Sequence, residues 1–196
     1  MEENKHQDNK DKPSKKEARN SEDVTRLNKY IAHCGICSRR KAADLVKNGL
    51  IKVNGEIELN PSYMVTPEDK VSYQGKVIER EVNKIYILLN KAKKTVSTVS
   101  DEKGRRTVID SLGGKIKERI YPVGRLDYMT TGLLVLTNDG DLATKLAHPS
   151  YEVKKLYHVT LDKPISEADA KKVEAGLLLE DGLAEVDSAR IIKGKG

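Results

Sequence analysis

No apolar run in this sequence approaches the roughly 18 residues that a membrane-crossing helix needs. The N-terminus is polar, so no secretory leader is expected. Two cysteines in 196 residues do not make a disulfide framework, and a reducing, cytoplasmic setting fits best. A phosphate-cradling P-loop, a dinucleotide glycine fingerprint and a metal-ligand cluster are all missing, so no metal and no cofactor are expected. There is no internal repeat. Apolar residues are sparse at 37%, against 34% charged, which implies small cores or long tails.

Positive charge is present in excess. The chain carries a net +6, yet residues 1–23 hold more acids than bases and sum to −1, leaving +7 on the rest. A basic folded part favours a polyanionic partner such as nucleic acid. The first 23 residues are Lys, Glu, Asp, Asn and Ser with almost nothing apolar, so they read as a disordered tail. Cys34 and Cys37 form a lone C-x-x-C beside His33. Zinc would need further ligands, and a redox pair would sit near a βαβ pattern. The pair reads instead as two small, part-buried residues between helices.

Order is expected from about Thr25. Leu27, Tyr30, Ile31 and Cys34 have helical spacing, and Gly35 closes the segment. Ser38 is the expected N-cap of a helix through Asn48, stopped by Gly49. Residues 50–53 and 56–59 flank Asn54-Gly55 as a hairpin with a primed turn. Lys70 to Tyr73 and Lys76 to Ile78 are short strands around Gln74-Gly75. Arg26, Lys29, Arg39, Arg40 and Lys41 gather around the two helices, with Lys47 and Lys52 nearby. Cations in the first turn of a helix oppose the macrodipole, which points to a demand from outside the fold, namely phosphate. The order Arg26-Leu27-Asn28-Lys29-Tyr30, Gly35, Ser38-Arg39-Arg40-Lys41-Ala42, then Gly49, Ile51 and Val53-Asn54-Gly55 resembles the alpha-L RNA-binding domain. That resemblance implies a binding module and names no reaction.

Residues 79–84 are charged and poor in apolar side chains, with the linker placed at 80–84. Beyond it, Ile85 to Leu89 reads as a strand, Lys91, Lys93 and Lys94 as a basic loop, and Val96 to Val99 as another strand. Asp101 to Arg106 is a polar loop whose Arg105 and Arg106 suit backbone phosphate. A short helix is expected over 107–112 and a strand over 120–123. The apolar run Leu133 to Leu136 reads as a buried strand. Asp141 is the expected cap of a helix to Ala147, which Pro149 stops, and His148 is read as a structural loop residue. Lys155 to Leu161 alternates like a strand. Ser166 and Asp169 form a capping box for a helix to Ala175. Residues 177–179, 184–186 and 189–192 are further strand candidates.

Gly124-Arg125-Leu126-Asp127, followed by Thr130-Thr131-Gly132-Leu133-Leu134 and Thr137-Asn138-Asp139-Gly140, is the most informative stretch. It sets one carboxylate, Asp127, on a glycine-started turn at the edge of a predicted sheet, with Arg125 as the local cation. Residues 121–140 resemble the active-site motif of the pseudouridine synthases of the ribosomal RNA type (the RsuA/RluB family). The stretch Glu152 to Val159, with Lys155 two places before Tyr157, resembles that family's second motif. The resemblance implies that Asp127 is the essential carboxylate, that Tyr157 packs on the uracil ring, and that Arg125 supports Asp127 or grips RNA.

Turning uridine into pseudouridine breaks a glycosidic bond and forms a carbon–carbon bond, and it needs no metal or redox centre. The target nucleotide must be flipped out, at a cost of a few kcal/mol. Phosphate contacts from Arg105, Arg106 and Lys155 are expected to help offset that cost. The resemblance implies an α+β chain. A small N-terminal alpha-L RNA-binding domain (24–79) precedes a synthase-type mixed, largely antiparallel sheet with flanking helices (85–196). It also implies action on ribosomal RNA, with His148 to Tyr157 closer to the large-subunit branch, and the chain is expected to act as a monomer. Relatives continue with a Gly- and Arg-rich segment, a helix and closing strands, so the catalytic domain is expected to be partial at its C-terminus. The alternative is a non-catalytic RNA-binding or ribosome-assembly factor on the same scaffold. A different glycoside-cleaving enzyme would want a second carboxylate facing the bond, and Asp127 has no obvious partner.

Overall fold

A computed structural model describes residues 24–180 and 182–192. The expected tail, 1–23, lies outside the described residues. The chain divides into two compact units between Val153 and Lys154.

The first unit begins with β1 (Thr25–Arg26), α1 (Leu27–His33) and α2 (Arg39–Lys47). The Ser38 hydroxyl accepts from the Lys41 N–H at 3.3 Å and starts α2 as expected. Strands β2 (Ile51–Val53), β3 (Glu56–Ile57), β5 (Val71–Tyr73) and β6 (Lys76–Val77) form an antiparallel sheet in the order β3-β2-β5-β6. Both of its tight turns use two residues at positive φ, Asn54-Gly55 at 53° and 91° and Gln74-Gly75 at 50° and 77°. That conformation matches the twist of the flanking strands. β4 (Met64–Val65) pairs antiparallel with β1, a contact no local pattern announced. Leu27, Ile31, Ala42, Val46, Ile51, Val65 and Val71 are fully buried and make one core. Cys37 is buried at its margin, and burial pushes the Cys34 thiol up to about 12. A thiol so reluctant to ionise suits packing, as the spacing suggested.

A second core follows in the same unit. β7 (Tyr86–Lys91), β8 (Tyr121–Pro122) and β9 (Gly132–Thr137) pair antiparallel in the order β7-β9-β8. Leu134 and Leu136 point to one face and pack with Val108 and Ile120. Leu133, on the opposite face, is exposed, so the run from Leu133 to Leu136 is buried on one side only. A 3₁₀ turn (Asp110–Leu112) replaces the short helix expected over 107–112. The strand expected over Val96 to Val99 shrinks to a single parallel bridge between Val96 and Thr107. α3 (Gly140–Ala147) follows, then a 3₁₀ turn at Pro149–Tyr151. Its cap is Asp139 rather than Asp141, because the Asp139 carboxylate accepts from the Asp141 and Leu142 N–H groups at 3.2 and 3.1 Å. His148 holds its own turn, with Nδ1 2.8 Å from the Ser150 hydroxyl.

The basic loop expected at Lys91, Lys93 and Lys94 is corrected at its first member. Lys91 ends β7 and is only 1% exposed, and its Nζ donates to the carbonyls of Thr130 at 2.7 Å and Ala92 at 3.2 Å. Lys94 stands at φ +58°, with its N–H given to the Tyr128 carbonyl at 2.8 Å. A side chain in that region is strained, and glycine relieves it at some entropic cost. Lys94→Gly is expected to stabilise the protein by about 0.5 kcal/mol, read as a raised urea midpoint with unchanged slope.

In the second unit, α4 (Glu167–Glu174) starts on Ser166, whose hydroxyl accepts from the Asp169 N–H at 3.1 Å, as the capping box predicts. β10 (Leu177–Leu179) and β11 (Gly182–Ala184) form a hairpin, the second strand two residues earlier than expected. Residues 155–161 and 189–192 are not strands. Alternation marks a segment that could pair, but a strand exists only where a neighbour supplies the ladder.

Candidate functional site

Asp127 lies on the loop that joins β8 to β9. Three tethers hold that loop. The Ser97 hydroxyl donates to the Leu126 carbonyl at 2.8 Å and accepts from the Leu126 N–H at 3.1 Å. The Lys94 N–H reaches Tyr128 and the buried Lys91 ammonium reaches Thr130. Within the loop, the Thr130 N–H donates to the Asp127 carbonyl at 3.0 Å. Leu126 is partly buried against the second core. The backbone on both sides of Asp127 is therefore pinned while its side chain stays exposed.

Asp127 lines an open cavity of about 530 Å³ together with Arg125, Leu126 and Tyr128 on one side and residues 96–98, 100–103 and Arg105 on the other. This is the volume range of small-ligand sites. Among the described residues, no hydrogen bond or ion pair engages the Asp127 carboxylate. The suggested pair with Arg125 is absent there too. Gly124 takes φ +77° and ends the extended run after β8, so the alternation that would put residues 125 and 127 on one side is broken. Arg125 is exposed on the rim of the same cavity.

The opposite wall is the loop 101–106. Asp101 accepts from its own loop at the Lys103 and Arg105 N–H groups, at 3.1 and 2.9 Å. It also takes two side-chain bonds from Arg105, Nε at 3.1 Å and Nη2 at 2.7 Å. These bonds hold its carboxyl down to about 2, the Arg105 side chain first and the Arg105 backbone N–H next. A lowered acid supports the fold fully above its unfolded value near pH 4 and loses that support as pH falls through about 2. An NMR titration is expected to show Asp101 still ionised at pH 3; a midpoint near 4 would mean that the Arg105 clamp does not form in solution. Arg106 is exposed, and its carbonyl accepts from the Val96 N–H at 2.9 Å.

Arg26, Arg39, Arg40, Lys41, Lys47 and Lys52 are all exposed on the N-terminal module, and none has an acidic partner within 4 Å among the described residues. The first turn of α2 contains no acid at all. Lys29 differs: it is half-buried, and its Nζ binds the Asp141 carboxylate at 2.8 Å. That pair ties α1 to the first turn of α3, and the Glu81 N–H adds a bond to the His33 carbonyl at 2.9 Å. Lys155 and Tyr157 belong to the second unit, where both are exposed, Tyr157 at 77%. Ser97, Asp101 and Tyr128 were not singled out from sequence. Tyr128 could have been noticed as the residue after Asp127; Ser97 has no sequence signal, being 29 residues from its partner.

The family model for RNA pseudouridylate synthase matches residues 85–183, half of the chain, and encloses the Asp127 loop. The chain belongs to the RNA pseudouridylate synthase family. The S4 domain model matches residues 25–71, the segment that carries the exposed cations. Ribosomal large subunit pseudouridine synthase B of Bacillus subtilis (strain 168) is 43% identical over 169 residues, covering 86% of this chain and 68% of that protein. An uncharacterized RNA pseudouridine synthase of Aquifex aeolicus (strain VF5) is 40% identical, covering 87% of this chain and 69% of that one. A crystal structure of a pseudouridylate synthase superposes with a TM-score of 0.50 at 28% identity, covering 86% of this chain and 73% of that chain. For this synthase-family chain the α+β expectation holds, with an S4 module ahead of an antiparallel synthase sheet.

Proposed function

We propose that this protein isomerises one uridine of ribosomal RNA, in the large subunit, to pseudouridine, with Asp127 as the reacting carboxylate. The observation that carries this reading is an exposed carboxylate, unpaired among the described residues, on a rigidly tethered loop beside a cavity, in a chain of this family. A carboxylate oxygen that no described side chain engages can meet a sugar or base carbon of an everted nucleotide. Arg125, on the cavity rim, is the group for the adjacent phosphate or the displaced base. Tyr157 is proposed as the aromatic face for the target uracil, with Lys155 as a nearby phosphate contact.

Residues 24–79 act as the RNA-binding module, 80–84 as the linker and 85–196 as the catalytic part. Arg26, Arg39, Arg40, Lys41, Lys47 and Lys52 supply the phosphate contacts there, and Arg106 adds one beside the cavity. Lys29, though included in the sequence-based set, has its ammonium engaged by Asp141 and serves to dock α1. The protein works on this reading as a monomer in the cytoplasm, without a cofactor.

The test is direct. A large-subunit ribosomal RNA transcript is incubated with the protein and mapped by carbodiimide-blocked primer extension. One new stop is expected. An unmodified transcript that nevertheless binds tightly would favour the assembly-factor reading instead.

A further inference from the structure

Arg105 is held by a two-point side-chain clamp. Its Nε and Nη2 are both given to Asp101, at 3.1 and 2.7 Å, and the Asp101 carboxylate is itself fixed by two backbone N–H groups. The guanidinium is thereby locked in one plane with an anion at contact distance. Its Cζ lies 5.9 Å from the centroid of the Tyr128 ring. Tyr128 is 39% exposed, lines the same cavity and follows Asp127 directly.

Two kinds of cation meet RNA. Free, mobile ones neutralise phosphates, and planar ones stack on unpaired bases as aromatic rings do. A rigid, charge-compensated guanidinium over a tyrosine ring is of the second kind. The cavity, at about 530 Å³, falls in the range of sites that hold small ligands.

We propose that Arg105 and Tyr128 form a stacking platform for a second unpaired base of the RNA, a neighbour of the target uridine. This rests on the proposed function. The platform gives the enzyme a grip on a splayed base beside Asp127, with little dependence on salt.

The experiment measures affinity for the large-subunit transcript by filter binding across a salt series, with thermal melts as a check on folding. Arg105→Lys and Tyr128→Ala are each expected to weaken binding about tenfold at every salt concentration, leaving the salt slope unchanged. Tyr128→Phe is expected to recover most of what alanine loses. Asp101→Asn releases the guanidinium, and its salt slope should steepen as Arg105 turns to phosphate. Arg105→Lys binding as well as the unaltered protein would overturn the platform, as would a slope reduced by about 0.7 in Arg105→Ala, the mark of one lost phosphate contact. Pseudouridine mapping of the same transcript reads the proposed function separately, so an inactive protein whose binding still follows this pattern would remove only that reading.

Discussion

Asp127→Asn is expected to lower pseudouridine formation by at least about a thousandfold while leaving RNA affinity within about threefold of the unaltered protein. The split follows from the geometry. The Asp127 side chain makes no internal hydrogen bond or ion pair among the described residues, so removing its charge leaves no partner stranded. Its loop is held through backbone groups, by Ser97 at Leu126, Lys94 at Tyr128 and Lys91 at Thr130. None of these tethers uses the carboxylate. Folding and RNA docking should both survive, and the loss should fall on the chemical step. Single-turnover kinetics on the large-subunit transcript, beside filter binding, reads the two quantities independently. Equal losses in binding and rate would show that Asp127 serves RNA attachment and that another group performs the reaction.

Lys91→Ala is expected to destabilise the protein by about 2–4 kcal/mol, the largest stability effect of a single substitution near the site. Lys91 is the bulkiest fully buried side chain among the described residues, and its ammonium reaches the Thr130 carbonyl of the Asp127 loop. Truncation leaves a cavity and strips the Thr130 carbonyl of its donor. Lys91→Met should cost less, because it refills the volume and leaves only the Thr130 and Ala92 carbonyls without this donor. Urea unfolding measures both. The kinetic signature separates Lys91 from a general core residue. Losing the Thr130 tether should loosen the Asp127 turn and lower the single-turnover rate even in Lys91→Met at temperatures where the protein is fully folded. A rate unchanged in that variant would confine Lys91 to packing.

What could be read from the chain was what short-range chemistry decides. Asn54-Gly55 and Gln74-Gly75 make their turns because these residues tolerate positive φ whatever surrounds them. Ser38 and Ser166 cap their helices with an N–H three residues away. The errors follow the same line. Asp139 and Asp141 flank Gly140, and the sequence could not say which would cap α3, since that depends on how the chain leaves β9. Alternation in residues 155–161 described a willing strand, but the ladder needs a neighbour. Lys91 was placed in a basic loop because its burial depends on Thr130, 39 residues on.

By itself the sequence determined a basic N-terminal module, and its resemblance to the synthase family carried the expectation of an antiparallel sheet with Asp127 as the reacting carboxylate. Both readings lie in contiguous motifs, which a chain displays without its fold. Only the tertiary structure decided which charges are free. Lys29 is taken by Asp141 and Arg105 by Asp101, while Asp127 and Arg125, on one cavity, form no ion pair among the described residues. Charge identity is a property of a residue, but availability is a property of its neighbours. Those neighbours are set by how β9 packs, by the bond from Ser97 to Leu126 and by the reach of a buried lysine, all of them contacts between distant parts of the chain.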